Sequence, residues 1–385
     1  MTTGNKAKGC LLGLACGDAL GRPVEFRSRA QIEREYGRLT EMVGGGTHGK
    51  PAGTVTDDTD LALCIARSLV DRDGFDPEDV GDRFVAWLDS GPFDVGLTTA
   101  DAIRNLKRGV PWDEAGHRVW NTRPDGSNAG NGSVVRCVPH AIRFGDDWDE
   151  LERVSRDSSR ITHADPRCTT GCAILNCTIA ALARDITDPL GRALAHVDDV
   201  PGELEDALEG VPDELDATAL ENTGYVVHTL QAGLYHGLSA TTAEEGTVAA
   251  VNTGGDTDTL GAVTGAIVGA RFGVEAVPER WRNQLTVGDE LGDLGAELAS
   301  TSDCALSTVR RLSRPGRSNR RPVPPGTRVL TATAVTGTCG RTLRSRSITP
   351  RSRPERRARC PTRSPPRSGP VPTRSTRSST PRRRR

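Results

Sequence analysis

The chain has 385 residues and a formal net charge of −1, but this near-neutral sum hides two oppositely charged parts. Residues 1–303 contain 27 Lys and Arg against 50 Asp and Glu, and residues 304–385 contain 23 Arg against one Glu. Because no apolar stretch approaches the roughly 20 residues that span a bilayer, we expect no membrane-spanning helix.

The acidic part has a net charge of −23 and only four lysines, which are Lys6, Lys8, Lys50 and Lys107. A carboxylate-rich, lysine-poor surface stays hydrated when salt screens its charges, repels nucleic acid and attracts cations. The ten cysteines include no CxxC pair, and we expect them to be reduced, small core residues. These features predict a halophilic cytoplasmic protein.

Apolar residues recur every three or four positions in six windows, whereas alternating strand patterns are scarce. The windows are Leu61 to Val70, Val80 to Leu88, Ala100 to Leu106, Ala173 to Ala183, Tyr225 to Leu234 and Val263 to Phe272. Helix starts are predicted at Thr56/Asp57, Thr98/Thr99 and Thr241/Thr242, and helix stops at Gly74, Gly109 and Gly237. We therefore predict an all-α fold for residues 1–303.

Two segments carry glycine at every fourth position. The first has Gly9, Gly13, Gly17 and Gly21, and the second has Gly261, Gly265, Gly269 and Gly273. On a helix this spacing leaves one smooth face, although each interior glycine costs about 1 kcal/mol relative to alanine. Close approach of the two helices would offset that cost, so we predict that the segments pack against each other in the core.

Residues 304–385 consist mainly of Arg, Ser, Pro and Thr without apolar periodicity. Such a segment cannot bury enough apolar surface to fold alone, so it is predicted to be a disordered basic tail. One explanation is a one-base shift in reading frame, which in a GC-rich gene turns GAC aspartate codons into CGA arginine codons. The other is a genuine basic arm that binds the phosphates of nucleic acid or the protein's own acidic part.

Two clusters of carboxylates and threonines each precede a predicted helix. They are Thr56-Asp57-Asp58-Thr59-Asp60 and Asp256-Thr257-Asp258-Thr259. Capping a helix needs one such residue, whereas adjacent carboxylates repel one another unless a cation lies between them. Oxygen ligands without His or Cys favour Mg²⁺, Mn²⁺ or Ca²⁺ over Zn²⁺. An EF-hand is excluded, because the twelfth position counted from Asp256 is Ile267 rather than glutamate.

The segment from Gly44 to Lys50 has the glycine and lysine spacing of a phosphate-binding loop. The next residue is Pro51, where that motif needs the hydroxyl of Ser or Thr, and no buried strand precedes the segment. We therefore expect a flexible loop at the rim of the site rather than a nucleoside triphosphatase.

Five segments, taken in order along the chain, resemble the ADP-ribosylglycohydrolase family. They are Gly9 to Gly13 with Gly17 to Gly21 and Glu25, then Thr56 to Thr59, Gly130 to Ser133 with Arg136, Thr162 to Asp165, and Gly254 to Thr259. Members of this family remove ADP-ribose from arginine or serine side chains, and one of them reactivates dinitrogenase reductase. The resemblance implies a compact orthogonal bundle of helices over residues 1–303 and an ADP-ribosylated protein or small ADP-ribosyl conjugate as substrate.

The resemblance also implies two divalent cations, Mg²⁺ or Mn²⁺, close together in a cleft. By position in the motifs, one ion is held by Thr56, Asp57 and Asp58, the other by Glu25, Asp256 and Thr259, and Asp258 is shared. The role of Glu25 comes from the resemblance alone, because a lone Glu beyond a helix is usually a solvated side chain.

The remaining predicted site residues would bind or act on the substrate. Gly130, Asn131, Gly132 and Ser133 form a turn that can offer backbone amides to a diphosphate, and the resemblance makes His163 a contact to ADP-ribose. Glu25 and Asp94 are the candidate general bases or guides of ring opening. Two alternatives stay open at this point: a family member that binds ADP-ribose without turnover, and a protein whose basic tail binds nucleic acid.

Overall fold

Within residues 3–124 and 127–312, the part of the chain that this computed structural model describes, sixteen α-helices form and no β-strand does. The helices are α1 (Thr3–Gly21), α2 (Arg29–Tyr36), α3 (Asp57–Asp71), α4 (Pro77–Asp89), α5 (Leu97–Lys107), α6 (Trp112–Thr122), α7 (Pro139–Phe144), α8 (Trp148–Arg160), α9 (Pro166–Ala183), α10 (Pro189–His196), α11 (Gly202–Leu208), α12 (Val226–Ser239), α13 (Ala243–Val251), α14 (Thr257–Phe272), α15 (Glu279–Arg282) and α16 (Gly288–Leu312). The prediction of an all-α fold is confirmed.

All six predicted apolar windows fall on helices, α3, α4, α5, α9, α12 and α14. Two predicted boundaries are wrong. Helix α5 begins at Leu97 with Gly96 as its N-cap, ahead of the threonines expected to cap it. Helix α12 continues through Gly237 to Ser239, because this glycine serves packing: a β-carbon there would lie 2.5 Å from the side chain of Ile267 in α14.

Helices α1 and α14 pack backbone against backbone, as the glycine spacing predicted. A β-carbon on Gly13 would lie 2.1 Å from the carbonyl oxygen of Gly265, and one on Gly17 would lie 1.9 Å from that of Gly261. The pairs run in opposite directions along the chain, so the two helices are antiparallel. Any side chain larger than hydrogen at these positions would force the helices apart.

The core surrounds this helix pair. Helix α14 is buried over nearly its whole length, and α9 is buried over most of its surface. Seven cysteines, Cys10, Cys16, Cys64, Cys137, Cys168, Cys172 and Cys177, are buried and form no disulfide within the described residues. No helix in the described ranges is long and apolar enough to cross a membrane.

The predicted tail lies almost wholly outside the described residues. Helix α16 extends to Leu312, past the predicted boundary at residue 303, and residues 313–385 are not described. Residues 304–312 are helical rather than disordered, whereas the disorder of residues 313–385 and the origin of the tail by frameshift stay predictions.

The close contact between α1 and α14 predicts a large effect of a single methyl group. We expect Gly265→Ala to lower the free energy of unfolding by about 3 kcal/mol or more, because the new β-carbon meets the backbone of Gly13. Urea unfolding measures the change. Gly292→Ala in α16 is the matched control, because a β-carbon there meets nothing within 4 Å; equal effects of the two substitutions would contradict the packing argument.

Candidate active site

The first carboxylate cluster is held at the start of α3 by a buried aspartate on α1. Asp18 is fully buried and accepts the backbone N–H of Thr56 at 3.0 and 3.1 Å. It also accepts the hydroxyl of Thr59 at 2.5 Å. Thr56, the N-cap, accepts the N–H of Asp58 at 3.4 Å. Asp18 thus fixes the first turn of α3 from behind, while Asp57 and Asp58 line the cleft.

The second cluster lies at the start of α14 and touches the first. The Thr259 hydroxyl donates to Asp58 at 2.8 Å. Asn131 donates its side-chain amide to Asp256 at 2.8 Å, and Asn222 donates to the Asp256 carbonyl at 3.0 Å. The two carboxylate clusters, almost 200 positions apart in sequence, therefore form one site.

Glu25 joins these clusters from the segment that follows α1. It is 7% exposed, and its carboxylate lies with those of Asp256 and Asp258 in a group whose ligand atoms are all within 4.8 Å of one another. One oxygen of Asp258 is buried without a hydrogen-bond partner. An unpaired buried acceptor beside two further carboxylates suits a cation, so the residues present fit a divalent ion.

Burial and crowding disfavour the charged forms of these carboxylates. Burial, then the nearby Asp94, raises the pKa of Asp57 to about 7 and that of Glu25 to about 8. Burial and neighbouring carboxylates also raise the pKa values of Asp58 and Asp258 well above their usual range. A bound cation would reverse this effect, because it favours the ionised form.

The cleft, a cavity of about 380 Å³, brings together most of the predicted site residues. Those lining it are Glu25, Asp57, Asp58, Asp94, Gly130, Asn131, Gly132, His163, Asp256, Asp258 and Thr259. Thr56 and Ser133 are not among the lining residues. The Ser133 hydroxyl is buried, accepts a hydrogen bond from Ser159 at 2.9 Å and contacts Cys172.

A buried chain of hydrogen bonds supports His163 on one side of the cleft. Arg136 donates to the Gly132 carbonyl and to the Thr162 hydroxyl, both at 2.6 Å, and that hydroxyl lies 2.7 Å from Nδ1 of His163. Because Arg136 can only donate, it leaves the proton of the Thr162 hydroxyl free to be donated to Nδ1. In that arrangement the ring proton of the neutral imidazole is on Nε2, near Gly130.

His163 is also held neutral. Burial, then the positive charge of Arg136, lowers its pKa to about 3. The space beside the ring is open only because the facing residues lack side chains: a β-carbon on either Gly130 or Gly132 would lie 3.3 Å from the imidazole. The result is a neutral N–H donor beside a glycine turn.

The segment from Gly44 to Lys50 lies at the rim, as expected, but it is pinned rather than loosely attached. The buried side chain of Arg22 donates hydrogen bonds to four backbone carbonyls in and just after this segment. They belong to Gly45, Lys50, Pro51 and Thr54. His48, which sequence reasoning did not select, lies within 3.6 Å of Glu25 and 3.4 Å of Asp94.

Comparison with known proteins gives this cleft its context. The sequence model described as ADP-ribosylglycohydrolase matches residues 1–307. The chain belongs to the ADP-ribosylglycohydrolase family. The motifs that suggested this family in the sequence therefore identified it correctly.

Members of the ADP-ribosylglycohydrolase family match over most of the chain. The ADP-ribosyl-[dinitrogen reductase] glycohydrolase of Rhodospirillum rubrum is 32% identical, over 73% of this chain and 90% of its own. The ADP-ribosylarginine hydrolase Tri1 of Serratia proteamaculans is 30% identical, over 76% of this chain and 79% of its own. A solved structure described as an ADP-ribosylglycohydrolase-related protein complex has a TM-score of 0.65 and 32% identity, and the match covers 78% of this chain and 99% of that one.

The raised carboxylate pKa values predict how the ion-free protein responds to pH. These carboxylates hold more protons in the folded chain than in the unfolded chain between about pH 4 and pH 8, so their contribution to stability falls as the pH rises through this window. We expect a lower melting temperature in chelator at pH 8 than at pH 5.5, and a smaller difference in Asp57→Asn. Added Mn²⁺ should raise the melting temperature most at pH 8.

Asp113→Asn is the matched control for this experiment, because Asp113 is an exposed acid in α6 away from the cleft. It should keep the pH response of the unaltered chain. The same response in Asp57→Asn would show that the cleft carboxylates do not cause it.

Proposed function

We propose that this chain hydrolyses the bond between ADP-ribose and a modified protein side chain, or a related ADP-ribosyl conjugate, with two divalent cations. The observation that carries the proposal is the convergence of Glu25 with the carboxylate clusters of α3 and α14 in one cleft. A family member that only binds ADP-ribose would not need this complete acidic set. The neutral His163 beside the glycine turn supplies the second half of the site.

We propose two ions in this site, Mg²⁺ or Mn²⁺. Thr56, Asp57 and Asp58 are proposed to hold one, Glu25, Asp256 and Thr259 the other, and Asp258 both. When bound, such ions stabilise developing negative charge and orient hydroxyl groups of the substrate. The hydrogen bond from Thr259 to Asp58 keeps the two sets of ligands in register.

The acidic wall of the cleft is the side that carries its carboxylates, and it is proposed to act on the ribose. Its residues are Glu25, Asp57, Asp58, Asp94, Asp256 and Asp258. Cleavage breaks the bond from C1 of the distal ribose to the side-chain nitrogen or oxygen, and positive charge develops on the ribose ring. The carboxylates of the cleft stabilise that charge electrostatically. Glu25 is the first candidate to take a proton from the attacking water, and Asp94 is the second.

The opposite wall, which consists of the glycine turn and His163, is proposed to hold the ADP part of the substrate. Gly130 and Gly132 leave room for close approach of a diphosphate, and His163 offers a neutral Nε2–H to one of its oxygens. Asn131 already donates to Asp256 and so links this wall to the acidic one. The hydroxyl of Ser133 is engaged by Ser159, so any part it takes in binding falls to its backbone.

The names of the relatives support a protein substrate, since one acts on dinitrogen reductase and another on ADP-ribosylarginine. The linkage in this chain is proposed to be to arginine or serine. Its halophily and cytoplasmic location stay predictions, and binding of nucleic acid by the tail falls outside the described residues.

The proposal predicts a defined pattern of activity. We expect ADP-ribose release from ADP-ribosyl-arginine or ADP-ribosyl-serine peptides with Mg²⁺ or Mn²⁺, and none after treatment with chelator. Asp258→Ala should lower kcat by more than the roughly 100-fold loss that is typical of substitutions outside the ligand shell. Circular dichroism should show unchanged helical content, and the exposed Asp113→Ala should keep full activity. Full turnover in chelator would refute the two-ion mechanism.

The tautomer of His163 gives a second prediction. Thr162→Val removes the hydroxyl that orients the imidazole, so we expect KM to rise about tenfold, the cost of about one hydrogen bond, with little change in kcat. Thr162→Ser keeps the hydroxyl and should restore KM. Nitrogen NMR of His163 should show the Nε2–H form in the unaltered chain and a mixture in Thr162→Val; identical spectra would contradict the assignment.

A further inference from the structure

The ring of His48 lies between two carboxylates at the mouth of the cleft without forming a hydrogen bond to either. Its Nε2 is 3.4 Å from Oδ2 of Asp94 and 3.6 Å from Oε2 of Glu25. Good hydrogen bonds of this type are about 2.7 to 3.2 Å long. The three side chains nevertheless place one ligand atom each within 4.8 Å of the others.

These separations suit ligands of a common ion. Two ligand atoms that lie about 2.1 Å from one ion are about 3.0 Å apart at a right angle and about 3.4 Å apart at the tetrahedral angle. We propose that Glu25, His48 and Asp94 form a third divalent-cation site, which prefers ions that accept nitrogen, such as Mn²⁺, Co²⁺ or Zn²⁺, over Mg²⁺.

Unsatisfied buried atoms point to the same site independently of the spacing. Glu25 is 7% exposed, and its Oε2, the atom that faces His48, has no hydrogen-bond partner. Nε2 of His48 is buried and also without a partner. Leaving such groups unpaired destabilises the fold, and one cation between them satisfies both.

The surrounding contacts hold the ligands in place. Arg22 pins the backbone on both sides of His48 through the carbonyls of Gly45 and Lys50. The His48 ring packs on Phe93, with 5.1 Å between ring centres, and Phe93 directly precedes Asp94. An ion at this position would therefore join the two segments that border the cleft mouth.

The negative charge of the cleft is large enough to balance a third divalent ion. Six carboxylates line it, those of Glu25, Asp57, Asp58, Asp94, Asp256 and Asp258. Two divalent ions neutralise four of these six charges. The imidazole gives the third site its selectivity, because Mg²⁺ is served by oxygen ligands whereas imidazole suits transition metals.

This inference rests on the proposed function, since Glu25 is shared with the two-ion centre, but it is tested by metal binding alone. When the third ion is bound, Asp94 is its ligand and no longer a candidate general base. Mn²⁺ is titrated into the full chain and counted by electron paramagnetic resonance, and pulsed spectra report any directly bonded imidazole nitrogen. We expect three Mn²⁺ per chain and a nitrogen coupling. His48→Phe, which keeps an aromatic ring against Phe93, should bind two Mn²⁺ and lose the coupling. Excess Mg²⁺ should displace two Mn²⁺ and leave the nitrogen-coupled one.

His228→Gln, at a half-buried histidine outside the cleft lining, is the control and should behave as the unaltered chain. Two Mn²⁺ in both the unaltered chain and His48→Phe would overturn the third site and leave the two-ion centre standing. A coupling that survives in His48→Phe would assign the nitrogen to another histidine and also overturn it. No Mn²⁺ in either protein would overturn both proposals.

Discussion

The backbone contact between α1 and α14 is the constraint on which the site depends. The two helices are antiparallel, so the end of α1 lies beside the start of α14, where Thr257 donates to the carbonyl of Gly21 at 2.9 Å. This meeting point places Glu25, which follows α1, beside Asp256 and Asp258 at the start of α14. Glycine is required because only hydrogen fits between the backbones, and its cost in helix propensity is offset by the packing it allows.

Helix α1 also positions the carboxylates at the start of α3. Asp18 is buried and bonds the first turn of α3, so Asp57 and Asp58 are anchored to the same helix that presents Glu25. Helix N-termini favour negative charge, but burial has the larger effect here, as the raised pKa values show. The fold therefore holds like charges together at a cost in stability, as expected where a site is preorganised for a cation.

The two walls of the cleft differ in charge for structural reasons. On one wall, the buried cation Arg136 supports Thr162 and His163, and burial together with this positive charge keeps the imidazole neutral. On the other wall, Glu25 and Asp94 flank His48 with unpaired buried atoms between them. In the proposed reaction this asymmetry orients the substrate, with the diphosphate toward neutral donors and the ribose toward the carboxylates.

The sequence by itself determined the helical class of the fold, the pairing of the glycine segments and the carboxylate clusters, because each depends on short-range periodicity or spacing. Tertiary structure alone decided the role of Asp18, whose bond to Thr59 spans 41 residues, and the place of His48, which a local pattern shows only as a loop residue. Tertiary contacts also place the Ser133 hydroxyl in the core and allow α12 to continue past Gly237. These features rest on contacts between segments distant in sequence, which periodicity along the chain does not encode.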